Sequence, residues 1–461
     1  MPDWDMQRIK NVHFVGIGGC GMSGLARILH EMDYKVTGSD VREGANTLRL
    51  KDLGIKISIG HHDSLVREVD LVVYSSAVTF ENVEMKAAEA KGLPIVKRAE
   101  ILSWIMNQSQ TKIAIAGTHG KTTITAMLAK VLDVGMLHPT YLIGCDMDYV
   151  EGNAKRGSGR YAVAEADESD SSFLNLSPDI AVINNIEADH LERFGSFAEY
   201  VNTYFKFAEK VSQDGYILVD ATDKHNQELM KKVDRRYITY GLSGDVEYSA
   251  KNLKFKYFTS RFTLVRKGQE LGQVMLSVPG WQNVLNSLPV FAIGFELGLD
   301  FNFIAGALRS FTGARRRFQI VGKHKEVLII DDYAHHPTEI RATLAAARAG
   351  WPDKRIICVF QPHRYSRTML LQHEFMKAFG DADKVIITDI YAASEEPIPG
   401  ISGKTIADGI KEGKEVEYIP RKEMIAEHLV ETLQDNDLVL TFGAGDIYTV
   451  GREFYARLKM L

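Results

Sequence analysis

Short runs rich in Val and Ile recur along the chain at Val12–Gly16, Lys35–Ser39, Asp70–Ser75, Lys112–Gly117, Ile180–Asn184, Val327–Asp331, Ile356–Phe360 and Lys384–Asp389. Longer amphipathic stretches separate them. Strand-length runs alternating with helical spacing predict repeated strand–helix–strand units. Such units build mostly parallel sheets covered by helices on both faces, and they present ligand residues at the carboxyl ends of the strands. One stretch breaks the rhythm. Between Gly241 and Val278, the alternation through Phe255, Tyr257, Thr259, Phe262 and Leu264 predicts antiparallel hairpins added to the middle of the chain. A polar stretch, Asn107–Thr111, follows a helical pattern ending near Met106, and a basic cluster within Gly313–Gly322 precedes the strand at Val327. These breaks predict an α/β protein of three domains, 1–107, 108–315 and 316–461.

Composition agrees with that plan. The 461 residues are 45% hydrophobic and 25% charged, which excludes a collagen-like or largely disordered chain. Fifty-five Lys and Arg against 60 Asp and Glu give a net charge of -5, so no overall positive field is present to hold nucleic acid or an anionic membrane. Anionic ligands then need local sites. Cys20, Cys145 and Cys358 lie far apart with no CxxC or Cys/His cluster, which argues against a disulfide framework or a structural zinc and fits a reducing compartment. Met1–Lys10 is charged and no long apolar run follows, so the reading is of a cytoplasmic protein without a signal peptide or membrane span.

Two glycine loops carry candidate chemistry. Gly16-Ile17-Gly18-Gly19-Cys20-Gly21 lies between a strand and a helix opening near Met22, where bare amides at a helix N-terminus can approach a diphosphate. Asp40, at the end of the next strand, can accept from a ribose hydroxyl. The alternative is a tight turn that needs glycine for geometry alone. The second loop, Gly117-Thr118-His119-Gly120-Lys121-Thr122-Thr123, departs from the usual phosphate-loop spacing, yet Lys121 suits β and γ phosphate oxygens and Thr122 suits magnesium. Two loops of different design imply two different phosphorylated ligands. A dehydrogenase would leave the second loop idle, and a plain ATPase the first.

Acidic and basic groups gather at other strand ends. Glu165-Ala166-Asp167-Glu168-Ser169-Asp170 follows the strand Tyr161–Ala164, either as carboxylates for ATP-bound magnesium or as a solvated loop. Asn184-Asn185-Ile186-Glu187-Ala188-Asp189-His190 follows the next, with His190 a metal ligand, a phosphate partner or a structural group. Asp331-Asp332-Tyr333-Ala334-His335-His336-Pro337 and Gln361-Pro362-His363-Arg364-Tyr365-Ser366-Arg367 occupy equivalent places further on. Arg364 and Arg367 suit a carboxylate or phosphate, while His335 and His336 suit substrate contact or helix capping better than zinc. Arg315, Arg316 and Arg317 are either a solvated linker or a nucleotide contact.

Taken in order, VGIGGCGMSGLA, GTHGKTT, EADESDSSFL, NNIEADHLERFGSF, GARRRFQ, DDYAHHPTEI, FQPHRYSRT and SEEPIPGISG resemble the Mur ligases, and within them the branch that adds L-alanine. They run from residue 15 to residue 403. The resemblance implies a Rossmann-like N-terminal domain for UDP, a central P-loop ATPase-like domain and a C-terminal Rossmann-like domain that closes over the site. It implies an ATP- and magnesium-dependent ligase of peptidoglycan precursor synthesis that joins L-alanine to the lactyl carboxylate of UDP-N-acetylmuramate through an acyl phosphate. It assigns ATP to Gly117, Thr118, His119, Gly120, Lys121, Thr122, Thr123, Asn283, Asn286, Arg317, Asp332 and Tyr333. The UDP-sugar falls to Gly16, Gly18, Gly19, Gly21, Met22, Ser23, Asp40, Ser75, Ser76 and His363, and metal to Thr122, Glu165 and His190. Lys121, His190, His335, Arg364 and Arg367 become the catalytic set. Gln282 stands where the family usually has His, and Tyr204, Phe205 and Lys206 lie where sister ligases carry a carbamylated lysine. That absence favours the alanine-adding branch over others, as the intact FQPHRYSR does over the tripeptide-recycling branch.

Overall fold

A computed structural model of the chain describes residues 4–147, 152–410 and 414–460, apart from the Glu192 side chain. The runs that read as strands are strands, with ends displaced by a residue or two. They fall into two compact units.

The first unit comprises Met1–Glu187, Ser196–Tyr240 and Pro289–Asp300, and it carries two sheets. The N-terminal sheet is parallel throughout, in the order Lys56–Ile59, Lys35–Asp40, Asn11–Val15, Leu71–Tyr74, Ile95–Lys97. Chain direction around the sheet reverses at Asn11–Val15, and the crevice beyond that strand is where such sheets take ligands. The second sheet of this unit runs Arg236–Tyr240, Tyr216–Asp220, Ile180–Ile183, Thr111–Ala116, Tyr161–Glu165, Thr140–Met147, Gly152–Lys155, and only the last pairing is antiparallel. Ile113, Ala114, Ile115 and Ala116 are fully buried, as a strand covered on both faces requires.

The two sheets are locked by a close helix approach. Helix Cys20–Glu31 packs on Thr140–Met147 and Gly152–Lys155, and a Cβ added to Gly24 would overlap Leu142 and lie 3.0 Å from that of Ala154. Arg49 pairs with Asp146 at 2.7 Å, and Arg27 with Glu31 at 2.7 Å. We expect Gly24→Val to destabilise the first unit by about 1 to 3 kcal/mol through overpacking, read as a lowered urea midpoint with no change in slope.

The second unit comprises Ala188–Gly195, Gly241–Leu288 and Phe301–Leu461. Its six-stranded sheet is ordered Gln319–His324, Val327–Asp332, Asp437–Phe442, Arg355–Phe360, Lys384–Ile387, Glu415–Tyr418, with the first pair antiparallel. The expected hairpin material is present as Tyr248–Lys256, Thr259–Arg266 and Gln269–Leu276. Tyr257 does not continue the alternation: it forms the turn at φ 51°, and its N–H donates to the Gly350 carbonyl. Phe258 packs edge-on against Trp351 at 4.7 Å, and Phe318 stacks on the same indole, which anchors the hairpin to helix Pro337–Gly350.

Two inner strands escape an apolar-run reading because polar residues interrupt them. Tyr216–Asp220 and Asp437–Phe442 are buried along their whole length. In the second, Asp437 takes the Arg355 guanidinium on both oxygens at 2.8 Å, and Thr441 donates to Asp331 at 2.7 Å.

Candidate active site

The N-terminal glycine loop is built around its own strand ends. Gly16, at φ 79°, and Ile17 donate their N–H groups to the Ser39 carbonyl, and Gly18 donates to Asp40 Oδ2 at 2.8 Å. A side chain at Gly18 would strike that carboxylate. Asp40 therefore shapes the loop that it was expected to complement. Helix Cys20–Glu31 opens two residues before Met22 and has no side-chain cap, so its first N–H groups lie at the loop. Ser75 lies against Gly16, Ser76 is exposed, and Met22 and Ser23 are buried on the inner face of the helix.

The second loop sits at the carboxyl end of Thr111–Ala116, between the strands Tyr161–Glu165 and Ile180–Ile183. Gly117 has φ 131°, and a Cβ there would meet the Asn184 backbone nitrogen at 3.0 Å. Asn184 and Asn185 hold the loop open: the Asn184 amide donates to the His119 carbonyl at 2.9 Å, and Asn185 Oδ1 accepts the His119 N–H at 2.8 Å. Buried Thr118 receives the Glu187 N–H and contacts the Tyr200 hydroxyl, which in turn meets Tyr204. Helix Lys121–Val134 then begins without an acidic first turn or a side-chain cap, a geometry suited to anions.

The charges around this loop are paired. Lys121 Nζ donates to the Gly117 and Thr118 carbonyls and to Glu168 Oε1 at 2.8 Å. Burial works against its charge, but Glu168 and the neighbouring carboxylates outweigh this and hold the ammonium above its ordinary pKa. Asp167 is half-buried, and against that partial burial Arg98 and Lys121 bring it down to about 2. Glu165–Asp170 is thus no solvated loop. Thr122 donates to Glu165 Oε2 at 3.1 Å, a hydroxyl and carboxylate pair whose oxygens suit a hard divalent cation. Tyr200 was not singled out from sequence, and Glu168, Asn184, Asn185 and Tyr204 had no individual role there; their hydrogen bonds around the loop reveal them. Lys206 is exposed on helix Phe197–Glu209, while Tyr204 is buried.

In the second unit, sequence-distant groups converge beyond the strands Val327–Asp332 and Arg355–Phe360. Asp189 accepts from Arg367 Nε at 3.2 Å and Nη2 at 3.0 Å, and Arg367 Nη1 reaches His363 Nδ1 at 3.2 Å. His363 stacks on Tyr391 at 5.5 Å and lies 6.0 Å from the His335 ring. His190, the expected metal ligand, takes a left-handed φ of 53° and donates its N–H to Asp189. His336 caps helix Pro337–Gly350 by accepting from Thr338, with Glu339 reaching back to the cap N–H.

Asp332 is buried, accepts the N–H groups of Phe318 and Ala334 at 2.8 Å, and is pushed up to about 6 by burial against the pull of Arg317. Arg317 pairs with Glu339 at 3.3 Å. Arg316 is no solvated linker residue. It pairs with Asp331 at 2.9 Å, donates to the Gly443 and Gly445 carbonyls, and lies over both Tyr333 and Tyr448. Asn286 is buried, and Asn283 donates to the Pro279 carbonyl at 2.7 Å. Gln282 folds over Gly280.

Burial brings His335 down to about 4, against the opposing pull of Glu339, and His363 to about 3, with His335 and two arginines adding to the effect. Unfolded histidines protonate near pH 6.5. Below that pH the unfolded chain binds protons that the folded one refuses, so stability is complete above about 6.5 and falls as pH drops toward 4. We expect His335→Gln to flatten this slope, measured as urea midpoints between pH 7 and pH 5.

Models of three domain families match the chain in order: "Mur ligase family, catalytic domain" at residues 11–110, "Mur ligase middle domain" at 115–294, and "Mur ligase, glutamate ligase domain" at 316–445. A UDP-N-acetylmuramate--L-alanine ligase of Geotalea daltonii is 43% identical over 98% of this chain and 99% of its own length. A protein of the same name from Desulforamulus reducens is 45% identical over 98% of each chain. Among solved structures, a UDP-N-acetylmuramate-alanine ligase from Thermotoga maritima matches with a TM-score of 0.84 and 33% identity, covering 98% of this chain and 100% of that one. With three ordered domain matches and relatives of such identity along nearly its full length, the chain belongs to the Mur ligase family.

Proposed function

We propose that the chain joins L-alanine to the lactyl carboxylate of UDP-N-acetylmuramate with ATP as the driving reactant, in peptidoglycan precursor synthesis. The observation that carries this reading is the pair of main-chain anion cradles, one at Gly16–Gly21 and one at Gly117–Thr123, built on two different sheets with different glycine spacing. Family relatives named for this reaction support it. In the reaction a carboxylate oxygen of the sugar attacks the γ-phosphorus and ADP departs; the amine of L-alanine then attacks the acyl carbon and phosphate departs.

The chain's own groups divide that work. Gly16, Gly18, Gly19 and Gly21 hold the UDP diphosphate, with Asp40 keeping the loop in shape. The amides of Gly117–Thr123 hold the ATP phosphates, and Lys121 offsets charge on the transferring phosphoryl oxygens, where most of the catalysis in such reactions lies. Thr122, Glu165 and His190 are the proposed magnesium ligands, and the Thr122–Glu165 pair has the oxygen chemistry such an ion needs. Magnesium, when bound, supplies neutralisation of the phosphate charge. Asn283, Asn286, Arg317, Asp332 and Tyr333 are proposed for the nucleotide, and His335, His363, Arg364 and Arg367 for the acyl and amino-acid groups. The domain limits 1–107, 108–315 and 316–461 belong to the same proposal. No helix among the described residues is long and apolar enough to cross a membrane, and we place the reaction in the cytoplasm.

Phosphate release with ATP, magnesium and UDP-N-acetylmuramate, run across L-alanine, glycine, L-serine and a tripeptide, tests the reading. L-alanine should give the highest kcat/KM. Faster turnover with the tripeptide would assign the chain to the recycling branch, and release independent of any amine would remove the ligase reading.

A further inference from the structure

Hydrogen-bond polarity fixes the proton positions on two site histidines in opposite senses. His335 Nδ1 lies 3.0 Å from the Tyr333 carbonyl oxygen. A carbonyl can only accept, so Nδ1 carries the proton, and a neutral ring then has a bare Nε2. His363 Nδ1 lies 3.2 Å from Arg367 Nη1. A guanidinium can only donate, so this Nδ1 is bare and the neutral ring carries its proton on Nε2. The rings are 6.0 Å apart, centre to centre.

The arrangement around His363 is held from both sides. Arg367 is oriented by Asp189, which takes Nε and Nη2 and leaves Nη1 for the histidine. Both charged groups are over nine-tenths buried. On its other side the imidazole stacks on Tyr391 with the planes 8° apart, and the backbone repeats the contact, Arg364 donating to the Tyr391 carbonyl and Tyr391 to that of Pro362, each at 2.8 Å. Ser366 clamps the start of helix Tyr365–Leu370 to Glu395 through its N–H and hydroxyl.

We propose that His335 and His363 act as locked, opposite tautomers, His335 offering an acceptor at Nε2 and His363 a donor at Nε2, and that Asp189 and Tyr391 are positioning residues that set the second of these through Arg367 and ring stacking. The inference rests on the proposed acyl and amino-acid role of this cluster. It gives the reaction a division of labour: His335 accepts a hydrogen bond from the incoming amine, and His363 donates one to the acyl oxygen as that oxygen becomes negative. It also removes His363 from the candidates for the amine's base, because neither of its nitrogens has a lone pair open to substrate. Burial, which disfavours the imidazolium of both rings, is consistent with two neutral histidines.

The test is two-bond 15N–1H spectroscopy on the full-length chain labelled at histidine, at neutral pH, with the two rings assigned from His335→Gln and His363→Gln. A protonated Nδ1 on His335 and a protonated Nε2 on His363 are expected; matching tautomers, or a doubly protonated His363, would overturn the proposal. Asp189→Asn should bring the Nδ1-protonated form of His363 into the spectrum, while Tyr391→Phe, which keeps the stack, should not; an unmoved tautomer in Asp189→Asn would remove Asp189 as a positioning residue. In turnover, His363→Ala should lose about 100-fold in kcat, as when one oxyanion donor is deleted. His363→Gln, whose amide N–H can occupy the Nε2 position, should recover at least about tenfold of that, and His363→Asn should not. Opposite tautomers with His363→Ala turning over at the parent rate would leave the locking intact and sink the acyl-site reading, whereas wrong tautomers sink the inference alone.

Discussion

Lys121→Ala is expected to lower kcat by about a thousandfold or more while leaving UDP-N-acetylmuramate affinity within about twofold of the parent, on the magnitude set by other cationic groups at transferring phosphoryl oxygens. The two effects should separate because the loop proposed for UDP, Gly16–Gly21, and the Lys121 loop stand on different sheets. The structure adds a second consequence. Glu168 is buried beside Lys121, and removing the ammonium leaves its carboxylate without its main counter-charge, at a cost of about 3 to 5 kcal/mol. Adding Glu168→Gln to Lys121→Met should restore most of that stability without restoring turnover. Steady-state kinetics, calorimetric binding of the UDP-sugar and urea denaturation together read the three quantities. Equal loss of UDP-sugar binding and turnover would contradict the separation.

How much of this was legible in the chain depends on whether a feature is contiguous. Each glycine loop spans seven residues or fewer directly after an apolar strand, the second with Lys121 and Thr122 inside it, and the roles proposed for them follow from that local pattern. Asp40 was legible as a residue near the first loop, but not that its carboxylate is already taken by the Gly18 N–H. Glu165–Asp170 left open a solvated loop, because sequence does not show that Arg98, far upstream, neutralises Asp167 or that Glu168 is buried. Asp189 and Arg367 are 178 residues apart, and nothing in spacing links them. Arg316 illustrates the same limit: within a run of three arginines it resembles its neighbours, and only its ties to Asp331 and the Gly443 and Gly445 carbonyls make it a structural pin. The strand Asp437–Phe442 was overlooked for a related reason, since its buried Asp437 and Thr441 have partners, Arg355 and Asp331, that spacing does not reveal.

Arg367→Ala is the second large effect, and here the structure changes what a paired-arginine reading expects. From sequence, the substitution weakens substrate use more than folding. Arg367 is in fact buried against Asp189, so alanine leaves a carboxylate that Arg367 and the nearby histidines had held far below its ordinary pKa. We expect a loss of about 3 to 5 kcal/mol in stability together with the catalytic defect. Arg367→Lys separates the two, because it keeps the charge and loses the planar fork. That variant should fold near the parent midpoint yet raise KM for the UDP-sugar or L-alanine by about tenfold or more, the equivalent of about 1.4 kcal/mol. Parent kinetics in a stably folded Arg367→Lys would reduce the residue to a structural role.

The central claim is that two main-chain cradles hold two chemically different nucleotides so that one activates what the other carries. Crystals soaked with UDP-N-acetylmuramate, magnesium and a non-hydrolysable ATP analogue test it most directly. The account predicts the UDP diphosphate against the loop Gly16–Gly21 at the start of helix Cys20–Glu31 and the triphosphate against the loop Gly117–Thr123 at the start of helix Lys121–Val134; one occupied loop, or the same nucleotide in both, would contradict it.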